Sequence, residues 1–215
     1  GEGEMVTLLG CSGSGKTTLL RIAAGYDFPD QGTALWNGAP IEGPSPHRFV
    51  VFQSFDQLFP WRRVNSNISF ALRRVYPELS RQEAGEKAAY WLEQTGLAHC
   101  GNLWPSQLSG GMKQRAVLAR AFALQPGLLL LDEPFAALDC MLRRTMQELL
   151  LSLCARHRCS VLFITHDIEE ALYLSPSPAF LTADGKEILR LDRDQTNQES
   201  IRRLLSQPGD EETTP

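Results

Sequence analysis

The stretch "GCSGSGKTT", residues 10–18, is the most informative part of this sequence for its fold. It follows a short apolar run, residues 5–9, which has the length of a buried strand. It leads into residues 17–24, which we predict to be a helix that ends at Gly25. A glycine-rich loop between a strand and a helix can wrap its backbone N–H groups around phosphate oxygens, and the helix N-terminus adds positive potential. The spacing fits G-x-x-x-x-G-K-[ST] and therefore predicts a nucleotide phosphate site.

The loop divides this predicted task between its backbone and its side chains. The residues that we expect to surround the phosphates are Gly10, Cys11, Ser12, Gly13, Ser14, Gly15, Lys16, Thr17 and Thr18. The Lys16 ammonium should reach the β- and γ-phosphates, and the Thr17 hydroxyl should ligate Mg²⁺. The alternative is a glycine-rich turn that binds nothing.

Residues 128–134, "LLLLDEP", place two carboxylates at the exit of a wholly apolar run. In an open α/β sheet the site lies at the carboxyl ends of the strands, which is where both acids would stand. We predict that Asp132 holds Mg²⁺ through water and that Glu133 polarises the attacking water. The alternative is a pair of acids that only cap the next turn.

Two further apolar runs also end on polar side chains. In "FVVFQ" the last residue is Gln53, and in "VLFITHD" the strand is followed by His166. We predict that Gln53 supplies a neutral oxygen to Mg²⁺ and that His166 contacts the γ-phosphate or the water. With Lys16 and Glu133 these two residues complete the catalytic candidates. A structural histidine with satisfied hydrogen bonds is the alternative for His166.

The octapeptide "LSGGMKQR", residues 108–115, puts two glycines at a predicted helix start. Glycine loses the most entropy on ordering, so the pair needs a reason. The Ser109 hydroxyl, the bare N–H groups of Gly110 and Gly111 and the helix N-terminus together make an anion site, and a Cβ would keep another backbone at a distance. The alternative is an ordinary N-cap.

Apolar runs that alternate with helical segments predict a parallel sheet in an α/β fold, and residues 179–189 predict a hairpin around Asp184-Gly185. Between residues 54 and 105 the composition shifts, and Ser80 with Glu83 forms a capping box that opens a helix. The predicted apolar helix faces are Ala84, Ala88, Trp91 and Leu92, then Val117, Ala121 and Leu124, then Leu142, Met146, Leu149 and Leu153.

The predicted units are residues 1–53 (first part of the core), 54–125 (inserted helical subdomain with LSGGMKQR), 126–195 (second part of the core) and 196–215 (tail).

Composition excludes several classes of protein. The chain has 215 residues, 43% of them hydrophobic, and a formal net charge of −4, so no overall basic field favours nucleic acid. Five cysteines without a CxxC pair are typical of a reducing compartment. No apolar run approaches the ~20 residues of a membrane span, and the residues at the start of the sequence predict no signal peptide. Because the sequence opens on Gly1 inside a turn, we expect the natural chain to begin upstream.

In their order, these motifs resemble those of the ATP-binding subunits of ABC transporters, from residue 1 to about residue 190. The wording of "FPWRRVNSNISFAL", "LSGGMKQRAVLARAFALQP", "DEPFAALD" and "ITHDIEEALYLS" is most similar to the nitrate/sulfonate/taurine importer branch. The resemblance implies a P-loop NTPase core with an inserted helical subdomain, with the N-terminal antiparallel strands partly missing. It implies ATP and Mg²⁺ as cofactors.

The resemblance also implies partners. Two subunits, expected to be copies of this chain, would pair head to tail, so that Ser109, Gly110 and Gly111 meet the γ-phosphate held by the other subunit. Asp139 in "AALD" would contact the opposing subunit near its phosphate loop. Residues 54–62, with Phe55, Leu58, Phe59 and Trp61, would receive a short helix of a transmembrane permease subunit; the alternative for these side chains is subdomain core. The protein would lie on the cytoplasmic side of the membrane, with a solute-binding protein as an indirect partner.

The implied function is ATP hydrolysis that powers import of a small solute, such as nitrate, a sulfonate or taurine. Two features depart from the family pattern: no aromatic residue precedes the loop to stack on adenine, and Cys11 stands where proline is frequent. One alternative is therefore an N-terminally truncated, weakly active or non-catalytic nucleotide-binding subunit. Another is a soluble ABC-type ATPase acting on DNA or ribosomes, although the chain has no coiled-coil insertion, tandem cassette or basic surface.

Overall fold

The computed structural model describes residues 3–53, 57–175, 178–182 and 185–190. The predictions for Phe55, for Asp184 and for the tail at residues 196–215 fall outside these ranges. None of the five cysteines, all of which lie within them, forms a disulfide, as composition predicts.

The strands of the described residues form one large sheet and one small ribbon. They are Met5–Gly10 (β1), Leu35–Trp36 (β2), Ala39–Pro40 (β3), Arg48–Val51 (β4), Leu128–Asp132 (β5), Ser160–Ile164 (β6), Ala179–Leu181 (β7) and Ile188–Arg190 (β8). The sheet order is β4-β5-β6-β1-β7-β8, and all neighbours pair in parallel except β7 and β8. The antiparallel pair β2-β3 stands apart. The predicted parallel α/β sheet and the terminal hairpin are therefore confirmed.

Helices cover the faces of this sheet or pack beside it. The α-helices are Lys16–Ala24 (α1), Val64–Val75 (α2), Arg81–Gln94 (α3), Gly110–Ala123 (α4), Cys140–His157 (α5) and Ile168–Leu174 (α6), with 3₁₀ turns at Ala98–Cys100 and Pro105–Gln107. Helix α1 packs on Leu8, Val50, Leu130 and Ile164, which belong to four neighbouring parallel strands, β1, β4, β5 and β6. Because β1, β4, β5 and β6 are parallel, their carboxyl ends share one edge of the sheet, and every strand-end motif lies there.

The predicted capping box at the start of α3 is present. The Glu83 N–H donates to Ser80 Oγ at 3.2 Å, and the Ser80 N–H donates to Glu83 Oε2 at 2.9 Å. The predicted apolar face, Ala84, Ala88, Trp91 and Leu92, is buried. The sequence reasoning did not identify α2, whose start is held instead by the fully buried Asn67, which bonds both the N–H and the carbonyl of Phe59.

Two predicted helix faces are confirmed only in part. Helix α4 begins at Gly110 and buries the predicted Val117, Ala121 and Leu124, but it also buries every residue from Ala116 to Ala123, because it contacts α2, α3, α5 and β4. It therefore has no narrow apolar stripe. In α5 the predicted Met146 and Leu153 are buried, whereas Leu142 and Leu149 are half-buried and Leu150 is buried in addition.

Candidate functional site

The phosphate loop ends in a helix start that lacks a side-chain cap. Gly13 and Gly15 have φ angles of 85° and 93°, a left-handed conformation that favours glycine. Gly15 is the N-cap of α1, where no side chain accepts a hydrogen bond and no acidic residue lies in the first turn. A helix start without a cap leaves backbone N–H groups to be satisfied by water or by an anion. The loop therefore fits a phosphate group.

Lys16 is folded over this loop. Its buried ammonium donates to the carbonyl oxygens of Gly10 at 2.8 Å and of Cys11 at 2.7 Å. The buried Ser14 hydroxyl has no hydrogen-bond partner among the described residues. A Cβ on Gly10 would lie 2.9 Å from the Leu181 carbonyl oxygen, so glycine is required there for space. The Ser14 hydroxyl without a partner and the buried Lys16 ammonium both fit the phosphates of a nucleoside triphosphate.

Thr17 and Asp132 meet as the sequence predicts. The Thr17 hydroxyl donates to Asp132 Oδ2 at 3.0 Å, which joins the first turn of α1 to the end of β5. Burial raises the pKa of the Asp132 carboxyl, and the Glu133 carboxylate raises it further, while Thr17 and Lys16 lower it. Among the described residues, no group of three or more His, Cys, Asp or Glu side chains is placed to hold a metal ion by itself. These two oxygens therefore fit Mg²⁺ that arrives with phosphate and keeps most of its waters.

The raised pKa of Asp132 predicts that the functional carboxylate destabilises the empty site. Because the folded-state pKa lies above the ordinary value of 3.8, the folded protein binds more protons and stability falls as pH rises through that interval. We expect Asp132→Asn to raise the Tm by about 2–4 °C at neutral pH without nucleotide, since solvent screens part of the penalty. Thermal unfolding from pH 4 to pH 8 measures this.

The difference from wild type should be small near pH 4 and fully developed at neutral pH. Asp30→Asn, the same substitution at an exposed position, is the matched control. A Tm of Asp132→Asn at or below the wild-type value throughout this range would show that the ionised carboxylate is not destabilising.

Glu133 and His166 also come together. Glu133 Oε2 lies 3.0 Å from His166 Nδ1, and the Glu133 N–H donates to the Ile164 carbonyl at 3.0 Å. Glu133 has a φ of 44°, which is uncommon for a residue other than glycine. Strained backbone of this kind concentrates at active sites, where the surrounding structure holds it. The pair can orient and deprotonate a water molecule at this edge of the sheet.

Gln53 is exposed two residues after β4, the strand beside β5. The sheet order therefore brings it to the edge that carries Asp132. No described hydrogen bond joins its side chain to Thr17 or Asp132, so its predicted role as a metal ligand rests on topology alone.

The LSGG segment forms a capped helix start that faces away from its own subunit. Ser109 Oγ accepts a hydrogen bond from the Met112 N–H at 3.3 Å. Packing within the chain favours glycine at position 111, because a Cβ there would lie 2.7 Å from Leu142 Cδ2. Gly110 is exposed, and a Cβ there would meet nothing within 4 Å. The physical reason that remains for a glycine at position 110 is the close approach of another molecule.

Asp139 caps α5. Its carboxylate accepts a hydrogen bond from the Leu142 N–H at 2.9 Å, and the residue is exposed. An exposed capping carboxylate is available to a second molecule, although the cap alone also explains an aspartate here.

The sequence reasoning missed a group of polar side chains behind His166. They are Arg143 and Gln147 of α5, Thr165 and Asp167 on either side of His166, and Glu170 of α6. The segment "HDIEE" contains a signal for part of this group, because Asp167 is an N-cap followed by acids in the first turn of α6. Nothing in the local sequence marks Arg143.

Cys11 places a thiol, which can be modified chemically, in the phosphate loop. The thiol residue is half-buried, and its carbonyl oxygen accepts a hydrogen bond from Lys16. A group attached to its sulfur would occupy the space around the phosphate loop. We expect alkylation to weaken ATP binding by at least about tenfold, or roughly 1.4 kcal/mol, and we expect bound ATP to slow the modification. Calorimetric titration before and after treatment measures this. Cys11→Ala is the control, and full ATP affinity after stoichiometric modification of Cys11 would refute the prediction.

The aromatic residues after Gln53 divide between core and surface. Leu58 is buried, while Trp61 is exposed and packs against Phe59 with ring centroids 5.6 Å apart. Beside them lies a groove of about 980 Å³, lined mainly by aromatic rings and guanidinium groups. Its lining includes Phe52, Phe59, Phe70, Arg48, Arg74 and Arg120. Leu58 is therefore core, the alternative given for this stretch, whereas the predicted contact of these side chains with a permease helix stays a prediction. In the part of the chain described here, no helix combines the length and the apolar character that crossing a bilayer requires.

Comparison with known proteins extends the resemblance of the motifs. Residues 1–136 match the ABC transporter family. The taurine import ATP-binding protein TauB of Chromobacterium violaceum is 47% identical over 191 residues, which cover 88% of this chain and 72% of that protein. The nitrate import ATP-binding protein NrtD of Synechocystis sp. is 42% identical over 211 residues, which cover 98% of this chain and 74% of that protein.

A solved structure supports the same assignment. The ATP-binding cassette MJ0796, in a dimeric post-hydrolysis state bound to ADP and Pi, superposes with a TM-score of 0.75 at 31% identity over 89% of this chain and 87% of that one. The P-loop NTPase fold is thus confirmed. The chain therefore belongs to the ABC transporter family, as an ATP-hydrolysing ATP-binding subunit of the branch that includes the taurine and nitrate importers.

Proposed function

We propose that this chain powers an importer for a small anionic or zwitterionic solute, of the kind represented by nitrate, sulfonates and taurine. The observation that carries the proposal is the site at one sheet edge, where Lys16, the Thr17–Asp132 pair and the Glu133–His166 pair stand together. Each pair joins a different element to the end of β5. The site has the parts that phosphoryl transfer to water requires, namely a phosphate cradle, a metal position and a base.

In this mechanism the residues do separate work. Lys16 exchanges the carbonyl oxygens of Gly10 and Cys11 for oxygens of the β- and γ-phosphates. Thr17 and Asp132, with Gln53, hold Mg²⁺, which when bound neutralises charge on the phosphates. Glu133 orients the attacking water and accepts its proton at a carboxylate oxygen. His166 holds Glu133 through Nδ1, and its exposed ring reaches toward the γ-phosphate.

Pairing with a second copy of the chain completes each site. Ser109 and Gly110 present a hydroxyl and an uncovered helix N-terminus outward, and such a helix end attracts phosphate oxygens. The similarity to MJ0796, which was solved as a dimer with ADP and Pi, supports this arrangement. Bound ATP would therefore act as the bridge between two subunits, and hydrolysis would remove the bridging γ-phosphate.

A permease is the second proposed partner, and it places the protein peripherally on the cytoplasmic side of the membrane. The groove beside Phe59 presents aromatic rings to solvent, among them the Phe70 ring, which is 39% exposed. Arg74 and Arg120 also line this groove. A short amphipathic helix with apolar anchors fits a concave surface of this kind. We expect the solute-binding protein to contact the permease rather than this chain.

The solute is the finer part of the proposal, because the relatives named above serve taurine and nitrate. Its test is uptake into proteoliposomes that contain this chain with its permease, supplied with the solute-binding protein outside and ATP inside. Nitrate, taurine and an alkanesulfonate would be compared, and a Glu133→Gln subunit would serve as the inactive control. We expect ATP-dependent uptake of one of the three. Uptake of none, with ATP hydrolysis intact, would refute the proposed solute class.

A further inference from the structure

The backbone of His166 is held from both sides while its ring is largely exposed. The side chain is 65% exposed, and Glu133 is its hydrogen-bond partner. Its neighbours on either side are each tied to other elements. The position of the ring relative to Glu133 therefore depends on what holds residues 165 and 167.

Thr165 is held by a buried carboxylate. Its hydroxyl donates to Glu170 Oε2 at 2.6 Å and accepts a hydrogen bond from the Asp167 N–H at 3.0 Å. Glu170 is only 6% exposed, and its second oxygen accepts a hydrogen bond from Gln147 Nε2 at 3.0 Å. A buried side-chain network whose members are paired is rigid. Helix α5 thus fixes Thr165 through Gln147 and Glu170.

Asp167 is held by a second residue of α5. Its Oδ1 accepts hydrogen bonds from the N–H groups of Glu169 and Glu170, and its Oδ2 pairs with Arg143 Nη1 at 3.0 Å. The other terminal nitrogen of Arg143 donates to the Leu138 carbonyl at 3.2 Å. The guanidinium fork therefore joins the segment after His166 to the residue before Asp139.

Arg143 and Gln147 are four residues apart and so share one face of α5. The same end of this helix carries the Asp139 cap, and Leu142 lies against Gly111 of the LSGG segment. We propose that Arg143 is a positioning residue for ATP hydrolysis, which holds Asp167 from α5 and thereby sets the place of His166 beside Glu133. This inference rests on the proposed roles of His166 and Glu133. Asp139 is the proposed meeting point of two subunits. Contact there would therefore be linked to His166 directly, through α5 and Arg143.

The test is the steady-state ATPase activity of Arg143→Gln in the full chain, with Arg144→Gln as the matched control. Arg144 is the next residue of the same helix and pairs with Glu148 at an exposed position. We expect the kcat of Arg143→Gln to fall about 10- to 100-fold, because small misplacements of catalytic groups have effects of this size. The KM for ATP should stay within about twofold, since Arg143 does not touch the phosphate loop. Arg144→Gln should match wild type.

A double-variant comparison separates positioning from general weakening of the fold. In a His166→Ala background, Arg143→Gln should cause no further loss of kcat, because Arg143 acts through His166. Equal fold-losses in both backgrounds, or a wild-type kcat for Arg143→Gln, would overturn the inference. Should Arg143→Gln not fold, Asp167→Asn replaces it, because asparagine keeps the cap of α6 and loses the ion pair; a wild-type kcat there would likewise overturn it.

The proposed function and the proposed role of Arg143 would fail in different ways. If the proposed roles of the site are wrong, the wild-type chain shows no hydrolysis that depends on Lys16, and the inference falls with them. If only the inference is wrong, wild type is active and Arg143→Gln behaves as wild type.

Discussion

Replacement of Glu133 by glutamine is expected to reduce kcat for ATP hydrolysis by about 10²- to 10⁴-fold, the range of a lost general base. The amide preserves the size of the side chain and can still contact His166 Nδ1. It cannot accept the proton of the attacking water. ATP affinity should change by no more than about twofold, because the phosphates are held by the loop and not by Glu133.

Single-turnover hydrolysis and equilibrium ATP titration together check this prediction. Glu93→Gln, on the exposed side of α3, makes the same chemical change far from the site and should have no effect. A Glu133→Gln protein that hydrolyses ATP at the wild-type rate would assign the base to another residue.

Replacement of Lys16 by alanine is expected to lower kcat/KM by at least about 10²- to 10³-fold, as for the removal of one stabilising donor. Unlike the loss at Glu133, this loss should include ATP binding, because Lys16 is the buried cation of the loop. The substitution also removes the Lys16 hydrogen bonds to the carbonyl oxygens of Gly10 and Cys11 in the empty protein, while the Cys11 carbonyl keeps the Ser14 N–H as a donor at 3.3 Å. Unfolding of the apo variant should therefore be measured beside its kinetics.

Lys87→Ala removes an exposed lysine from α3 and serves as the control. Two results are possible for Lys16→Ala if it folds. Loss of nucleotide affinity supports the phosphate-cradle role, whereas wild-type affinity and rate would contradict it.

The strands and their end residues could be predicted because their signals are local. Runs such as Leu128–Leu131 are apolar on both faces, which is typical of a central parallel strand, and each is followed within two residues by a polar side chain that we propose to act in the site. The order of the strands in the sheet then follows from topology, and it brings Thr17 to Asp132 and Glu133 to His166 across more than thirty residues.

Helix α2 could not be predicted because its start is stabilised by distant residues. Its N-cap, Arg63, makes no side-chain capping bond. The N–H groups of Val64 and Asn65 donate instead to the carbonyl oxygens of Leu103 and Gly101, almost forty residues away. Without a side-chain cap, nothing in the local sequence marks where this helix begins.

The Arg143–Asp167 pair escaped the sequence analysis for the same reason. The two residues lie 24 positions apart, and their encounter depends on how α5 packs against the segment after β6. Gly111 was interpreted as an opening for a second backbone, and within the chain a Cβ there would also have to displace the Leu142 side chain, whose Cδ2 would lie 2.7 Å away. Only Gly110 keeps the original argument intact, because its surroundings within the subunit are empty.

The central claim is that ATP joins two copies of this chain through Ser109 and Gly110. Its most direct measurement is the mass of the Glu133→Gln protein by light scattering after gel filtration, with and without ATP and with Mg²⁺ supplied or withheld. We expect a change from the 23.9 kDa monomer to a species of twice that mass with ATP, and no change for a Gly110→Glu derivative of the same variant. A monomer at saturating ATP, with nucleotide binding shown by titration, would contradict it.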